Sequence, residues 1–231
     1  MKNIFFIPSV CLVIFSLTAN AQSPTQFQLV QYDIKGLPVT ESAYTEVEGN
    51  PYLLNDWSDG SVVLEGDKSA PAKLKYDVYK ERLLFQDSKG ETMELKNKLL
   101  AFTLNNSNSD VSDLGPMVFV NGLPAVGARN VDSWYQLIAN GKVKLLKYYR
   151  KVIKEDHPYA SATITRTFIP SSIYYVFKDG QLTEINVSKK SLLKVFDNHS
   201  AQAEAYLKTN NINFKSDVDL QKLFTWYNSL N

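Results

Sequence analysis

Between residues 61 and 187 the apolar side chains recur at every second position, in short runs broken by turn-forming residues. Beyond Ser188 they recur at every third and fourth. That change of period limits the fold more than any other feature. A period of two sets side chains alternately on the two faces of a pleated strand, and a period of 3.6 lines one side of a helix. The runs 61–65, 72–79, 82–86, 91–95, 99–104 and 117–121 are expected strands. In 72–79, Leu74, Tyr76 and Val78 alternate with Lys73, Lys75 and Asp77, which predicts an apolar row on a core face and a charged row on a wet one.

Asn140-Gly141 and Asp179-Gly180 each tolerate the two positive φ angles of a type I′ turn. Flanked by 134–139 with 143–149, and by 173–177 with 182–187, they predict two hairpins. Residues 143–153 also fit a helical face through Leu145, Tyr149, Val152 and Ile153, so that arm is open between strand and helix. Residues 22–51 are weakly patterned, with a short strand expected at 26–34, and the polar stretch 105–115 is expected to be an inserted surface loop. After Ser188 come Leu192, Val195 and Phe196, then Ala203, Tyr206 and Leu207. Leu220, Leu223, Phe224 and Tyr227 close the chain with a full helical stripe. Ser216 followed three residues later by Asp219 is like a capping box, and Asp217 and Asp219 suit the positive end of a helix. The expected fold is α+β. A mostly antiparallel sheet over 26–187, barrel-like or sandwich-like forms both left open, precedes two to three helices over 188–230.

The N-terminus predicts export. Lys2 precedes an uncharged apolar stretch over 4–17, and Ala19-Asn20-Ala21 supplies the small residues of a cleavage site, so 1–21 reads as a signal peptide ahead of a single domain over 22–231. The apolar stretch is short for a bilayer span and is interrupted by Pro8, so no stable membrane span is expected after cleavage. Cleavage removes Lys2 and Cys11. The 25 basic side chains then fall to 24, equal to the 24 acidic ones, and no thiol remains. On that reading thiol nucleophiles, thiolate zinc sites and iron–sulfur clusters are excluded, and zero formal charge speaks against a nucleic-acid partner. The expected location is the periplasm or the extracellular space.

Several segments together resemble a family of small exported proteins of Bacteroidota whose function is uncharacterised: 48–53 (EGNPYL), 74–77 (LKYD) with 82–85 (RLLF), 141–147 (GKVKLLK), 189–193 (KKSLL) and 226–228 (WYN). The resemblance implies a Gram-negative envelope setting. Its motifs are structural, so it carries no catalytic residue over to this chain.

Reactive chemistry is sparse. His157 lies in an Asp-His-Pro turn and His199 at a helix boundary, and no pairing on one helix brings either to a metal or to a nucleophile. Asn55, Asp56 and Asp59 before Gly60 supply only about half a calcium shell and read as a turn. No catalytic residue, metal or cofactor is expected. Lys142, Lys144, Lys147, Arg150, Lys151 and Lys154 form a basic run without an acidic residue. It reads as a solvated strand face, with contact to an anionic polymer or lipid headgroup as the alternative. The aromatic doublets Trp134-Tyr135, Tyr148-Tyr149 and Tyr174-Tyr175 are the candidate binding residues. On strands each doublet sends one ring to either face, and the outer rings, if aligned, would make a strip for stacking on sugars or docking a partner. The functional expectation is an exported, non-enzymatic binding module that takes an envelope glycan, peptide or protein on an aromatic sheet face. The alternatives are an exported hydrolase using carboxylates and a small barrel-like carrier of an apolar ligand.

Overall fold

The computed structural model describes residues 34–39, 44, 46–66, 68–105, 111–157 and 164–230. The signal segment 1–21 and, Ile34 apart, the strand expected at 26–34 lie outside them. In chain order the first strands are β1 (Gly36–Pro38), β2 (Ser58–Leu64), β3 (Lys68–Asp77), β4 (Arg82–Gln86), β5 (Thr92–Leu95) and β6 (Leu99–Leu104). They are followed by β7 (Met117–Val120), β8 (Tyr135–Ala139), β9 (Lys144–Asp156), β10 (Thr165–Lys178) and β11 (Gln181–Ile185). The helices α1 (Lys189–Val195), α2 (Ser200–Asn210) and α3 (Asp217–Ser229) come last. This is the α+β arrangement that the change of period predicts.

All the strands form one antiparallel sheet in the order β1-β5-β4-β3-β2-β6-β7-β8-β9-β10-β11. β1 and β11 remain as edges, so the sheet is not closed into a barrel. The ambiguous arm 143–153 is strand: β9 pairs with β8 on one side and with β10 on the other, from Lys144↔Phe177 to Asp156↔Thr165. Two flanking partners satisfy its backbone, which outweighs its helix-like spacing.

The two turns behave differently. Asp179 and Gly180 have φ of 51° and 77°, and Lys178 pairs with Gln181, as a two-residue type I′ turn requires. The turn at Asn140-Gly141 is instead a longer, four-residue connection between β8 and β9. The cause is tertiary. Asn228 of α3 inserts into the loop, accepting from the Val143 amide at 3.0 Å and donating to the Asn140 and Val143 carbonyls at 3.2 and 2.9 Å. Gly141 has φ of 147°, and a Cβ there would lie 2.4 Å from Asn228 Cγ.

Two further expectations are corrected. Asp77 belongs to the row of β3 predicted to be wet, yet it is fully buried beside Leu74, Tyr76 and Val78. Its carboxylate organises the β3–β4 turn, accepting from the Tyr79 and Lys80 amides, from Arg82 Nε at 2.9 Å and from the Tyr44 hydroxyl at 3.2 Å. Asp59 and Gly60, read as a turn, lie inside β2. Gly60 is there because β6 approaches so closely that a Cβ would sit 2.0 Å from the Thr103 carbonyl.

Residues 46–54 form a strap across the inner face of the curled sheet. At one end Glu48 exchanges backbone hydrogen bonds with β10 (Glu48 N to Arg166 O, 2.8 Å; Phe168 N to Glu48 O, 3.0 Å). At the other, Leu53 N donates to Tyr76 O at 2.9 Å and Val78 N to Pro51 O at 3.0 Å. The strap therefore joins strands that are far apart in the sheet. The inner face packs Tyr76, Phe102, Phe119, Trp134 and Tyr149 together, with Phe102 and Phe119 stacked at 4.6 Å. Further along the same side of β9, α1 to α3 cover Leu145, Val176 and Ile138 with Leu192, Phe196, Leu220 and Phe224. The opposite side of β8, β9 and β10 buries Tyr135, Leu146, Tyr148 and Tyr175.

Candidate functional site

Alternation along β9 places the candidate residues. Lys147, Tyr149 and Lys151 share the inner side with Leu145, while Leu146, Tyr148 and Arg150 share the outer side. The doublets are split between the two faces as expected, but the rings are not a surface strip. Trp134, Tyr135, Tyr148, Tyr149 and Tyr175 are buried, and Tyr174 is half-buried. Trp134 and Tyr149 belong to the inner core, and Tyr174 packs under the helices. Tyr135, Tyr148 and Tyr175 form an outer cluster, with Tyr135 and Tyr175 edge to face at 5.3 Å. That outer face is closed by Arg129, which lies over the Tyr148 ring at 4.5 Å and pairs with Glu81 at 2.5 Å, while the Tyr148 hydroxyl donates to Glu81 at 2.7 Å. Strand propensity and core packing account for these aromatics.

The inner side of β9 carries a polar cluster that sequence reasoning missed. Asp217, the first residue of α3, is 3% exposed. Its two oxygens take Lys147 Nζ at 2.7 Å and the Tyr174 hydroxyl at 2.6 Å. Lys147 lies over the rings of Tyr149 and Tyr174, at 5.2 and 5.3 Å from their centroids. The Tyr149 hydroxyl donates to Gln136 Oε1 at 2.6 Å, and Gln136 is itself 1% exposed. Burial pushes the Tyr149 and Tyr174 hydroxyls well above the ordinary tyrosine range, and the negative charge of Asp217 adds to both. Signals for this cluster were present in the sequence. Asp217 is in helical phase with Leu220, Phe224 and Tyr227, and Lys147 is in strand phase with Leu145 and Tyr149, so a carboxylate and an ammonium were both due to face the core.

Beside this cluster, against the strap, opens a cleft of about 410 Å³. Lys147, Tyr149, Lys151, Pro170 and Ser172 of β9 and β10 line it, facing Leu53 of the strap, Val78 and Val111. Lys151 Nζ reaches the strap, donating to the Asn50 carbonyl at 2.9 Å and to Asn50 Oδ1 at 3.3 Å. Burial pushes the Lys151 ammonium below its ordinary pKa, and the charge of Asp77 opposes this in part. Alternation thus divides the basic run of β9: Lys147 and Lys151 go to the cleft and Lys144 and Lys154 to the other face, while the exposed Arg150, on that other face, borders the cleft at its rim.

A second groove, of about 480 Å³, lies between β4–β5 and the loop after β7. Of its charged lining, Arg82 pairs with Glu94, and Glu81 and Lys98 pair with Arg129 and Glu65 from outside the groove, while Asp132 lines it without an ion pair among the described residues. The histidines stand apart from both sites. His157 is exposed beside Glu155, and His199 bonds Gln202 at 2.6 Å. Among the described residues no group of three or more His, Cys, Asp or Glu is placed to hold a metal ion, and no helix is long and apolar enough to cross a membrane.

Fold and cleft together define the class: an open, curled antiparallel sheet, strapped on its inner face and capped by helices, with a mixed polar and apolar cleft over its two longest strands. No family model, curated protein or solved structure matches the chain.

Proposed function

We propose that this protein is an exported, non-enzymatic binding module of a bacterial envelope of the Bacteroidota type, and that its ligand site is the cleft over β9 and β10 beside the strap. One observation carries the reading. The cleft combines apolar walls from Leu53, Val78 and Val111 with Lys147, Tyr149, Lys151 and Ser172 on its floor. A few polar groups in a largely apolar concavity of about 300–1,000 Å³ is the usual make-up of a small-ligand site. The buried state of the tyrosine doublets favours this cleft over an aromatic sheet face, and the ligand over a large partner. The hydrolase alternative draws less support, because the buried carboxylates Asp77 and Asp217 are both committed to ion pairs. The carrier alternative needs a closed interior, and the sheet is open.

The test is ligand-observed nuclear magnetic resonance of the exported protein with glucose, a dialanine peptide, decanol and decanoate as separate probes. At least one probe is expected to bind wild type and to lose binding in Ser172→Trp, which fills the cleft from an exposed position. Failure of every probe, or binding that Ser172→Trp leaves unchanged, overturns the assignment.

A further inference from the structure

Resting on the cleft reading above, we infer that the ligand is a small amphiphilic acid, with a carboxylate or phosphate group against Lys151 and an apolar chain over Leu53, Val78 and Val111. Lys151 is half-buried on the cleft floor, and its contacts with Asn50 are to uncharged oxygens. Among the described residues no carboxylate lies within ion-pair distance of it. Asp77, the acidic group that acts on it, is bound to Arg82 at 2.9 Å. At the far end of the cleft Lys147 is neutralised by Asp217 at 2.7 Å, and Asp113 is held by the Ser216 hydroxyl and the Val218 amide.

Apart from the exposed Arg150 at its rim, the cleft therefore presents one cation whose charge no carboxylate cancels, Lys151, at a site where solvation is already reduced. A half-buried cation of this kind gains most from an incoming anion, because the anion restores what burial removed. The apolar side of the cleft, from Leu53, Val78 and Val111, favours a hydrocarbon chain over a sugar for the rest of the ligand. Two Asn50 contacts use two of the three Lys151 N–H donors, so one remains for the acid.

Calorimetric titration of the exported protein with decanoate, decyl phosphate, decanol and inorganic phosphate tests this. Decanoate or decyl phosphate is expected to bind at least about tenfold more tightly than decanol and than inorganic phosphate. A preference for decanoate points to a fatty acid, and one for decyl phosphate to a phosphorylated lipid. Lys151→Met should abolish the preference and leave decanol binding intact, whereas Lys151→Arg should keep it. Decanol binding as tightly as the acids overturns the acidic headgroup while leaving the cleft itself standing. Inorganic phosphate binding as tightly as decyl phosphate overturns the apolar chain. Equal loss of both acid and decanol in Lys151→Met also overturns the inference, since it assigns the lysine to anchoring the strap. Failure of all four probes overturns it together with any amphiphile reading of the cleft, and binding of glucose or the peptide alone would keep the site and change its ligand.

Discussion

At the residue scale, buried tyrosine hydroxyls in this fold differ in what they do. Tyr174 donates to buried Asp217, so Tyr174→Phe leaves one carboxylate oxygen short of a partner and should cost about 1–3 kcal/mol. Tyr76 is fully buried, and its hydroxyl has no hydrogen-bond partner among the described residues. Tyr76→Phe removes a polar atom that is already desolvated, so it should leave stability unchanged or raise it by about 1 kcal/mol. Urea denaturation of the two variants decides the matter: a loss in Tyr76→Phe as large as in Tyr174→Phe would refute the distinction. The candidate site was partly legible at this scale. Tyr149 and Tyr174 stand out in the sequence as members of aromatic doublets, whereas their neighbours Lys147, Lys151 and Asp217 show there only as part of a basic run and a helix start. Periodicity shows that a charge faces inward, but not which opposite charge meets it from 70 residues away.

Elements show where local signals hold and where they yield. The Asp179-Gly180 turn follows its dipeptide because nothing else packs into it. The Asn140 loop does not, because Asn228 occupies its centre and bonds its backbone. Gly141→Ala should destabilise by about 1–3 kcal/mol, from a φ that suits glycine and from collision with Asn228. Asn228→Ala should cost about 1–2 kcal/mol for the lost backbone contacts. Combined, the two should cost less than their sum, because the alanine at 228 removes the obstacle that the alanine at 141 meets. Thermal unfolding of the two single variants and the double variant measures this, and strict additivity would mean that the collision is not what constrains the loop. The β/α period change, nearly every strand and all three helices could be read from the chain. The strap could not, since 46–54 pairs only through isolated bridges that leave no alternating pattern.

For the whole molecule, the dense burial of phenols makes alkaline stability a test of the fold. Burial raises the pKa of Tyr76, Tyr148, Tyr149 and Tyr174 well above the ordinary value of 10.0, and Tyr135 is pushed up to about 12. A group whose pKa is raised on folding contributes stability that is intact below the unfolded value and is lost as pH climbs towards the folded one. Stability should therefore fall steeply above about pH 10. In an ultraviolet titration the buried phenols should ionise together with loss of circular dichroism, after the exposed ones. A single non-cooperative ionisation near the ordinary value, with the fold intact, would contradict the burial described here.

The strap has one further consequence. One cleft wall comes from residues near the start of the described chain and its floor from β9 and β10, with Glu48 meeting Thr167 across more than half the sequence. Contacts of such separation are the slowest to form, because a long loop must close before they are rewarded. The proposed cleft should thus be the last part of the molecule to mature, and a chain cut short before β10 would possess most of a sheet but only half of the cleft floor.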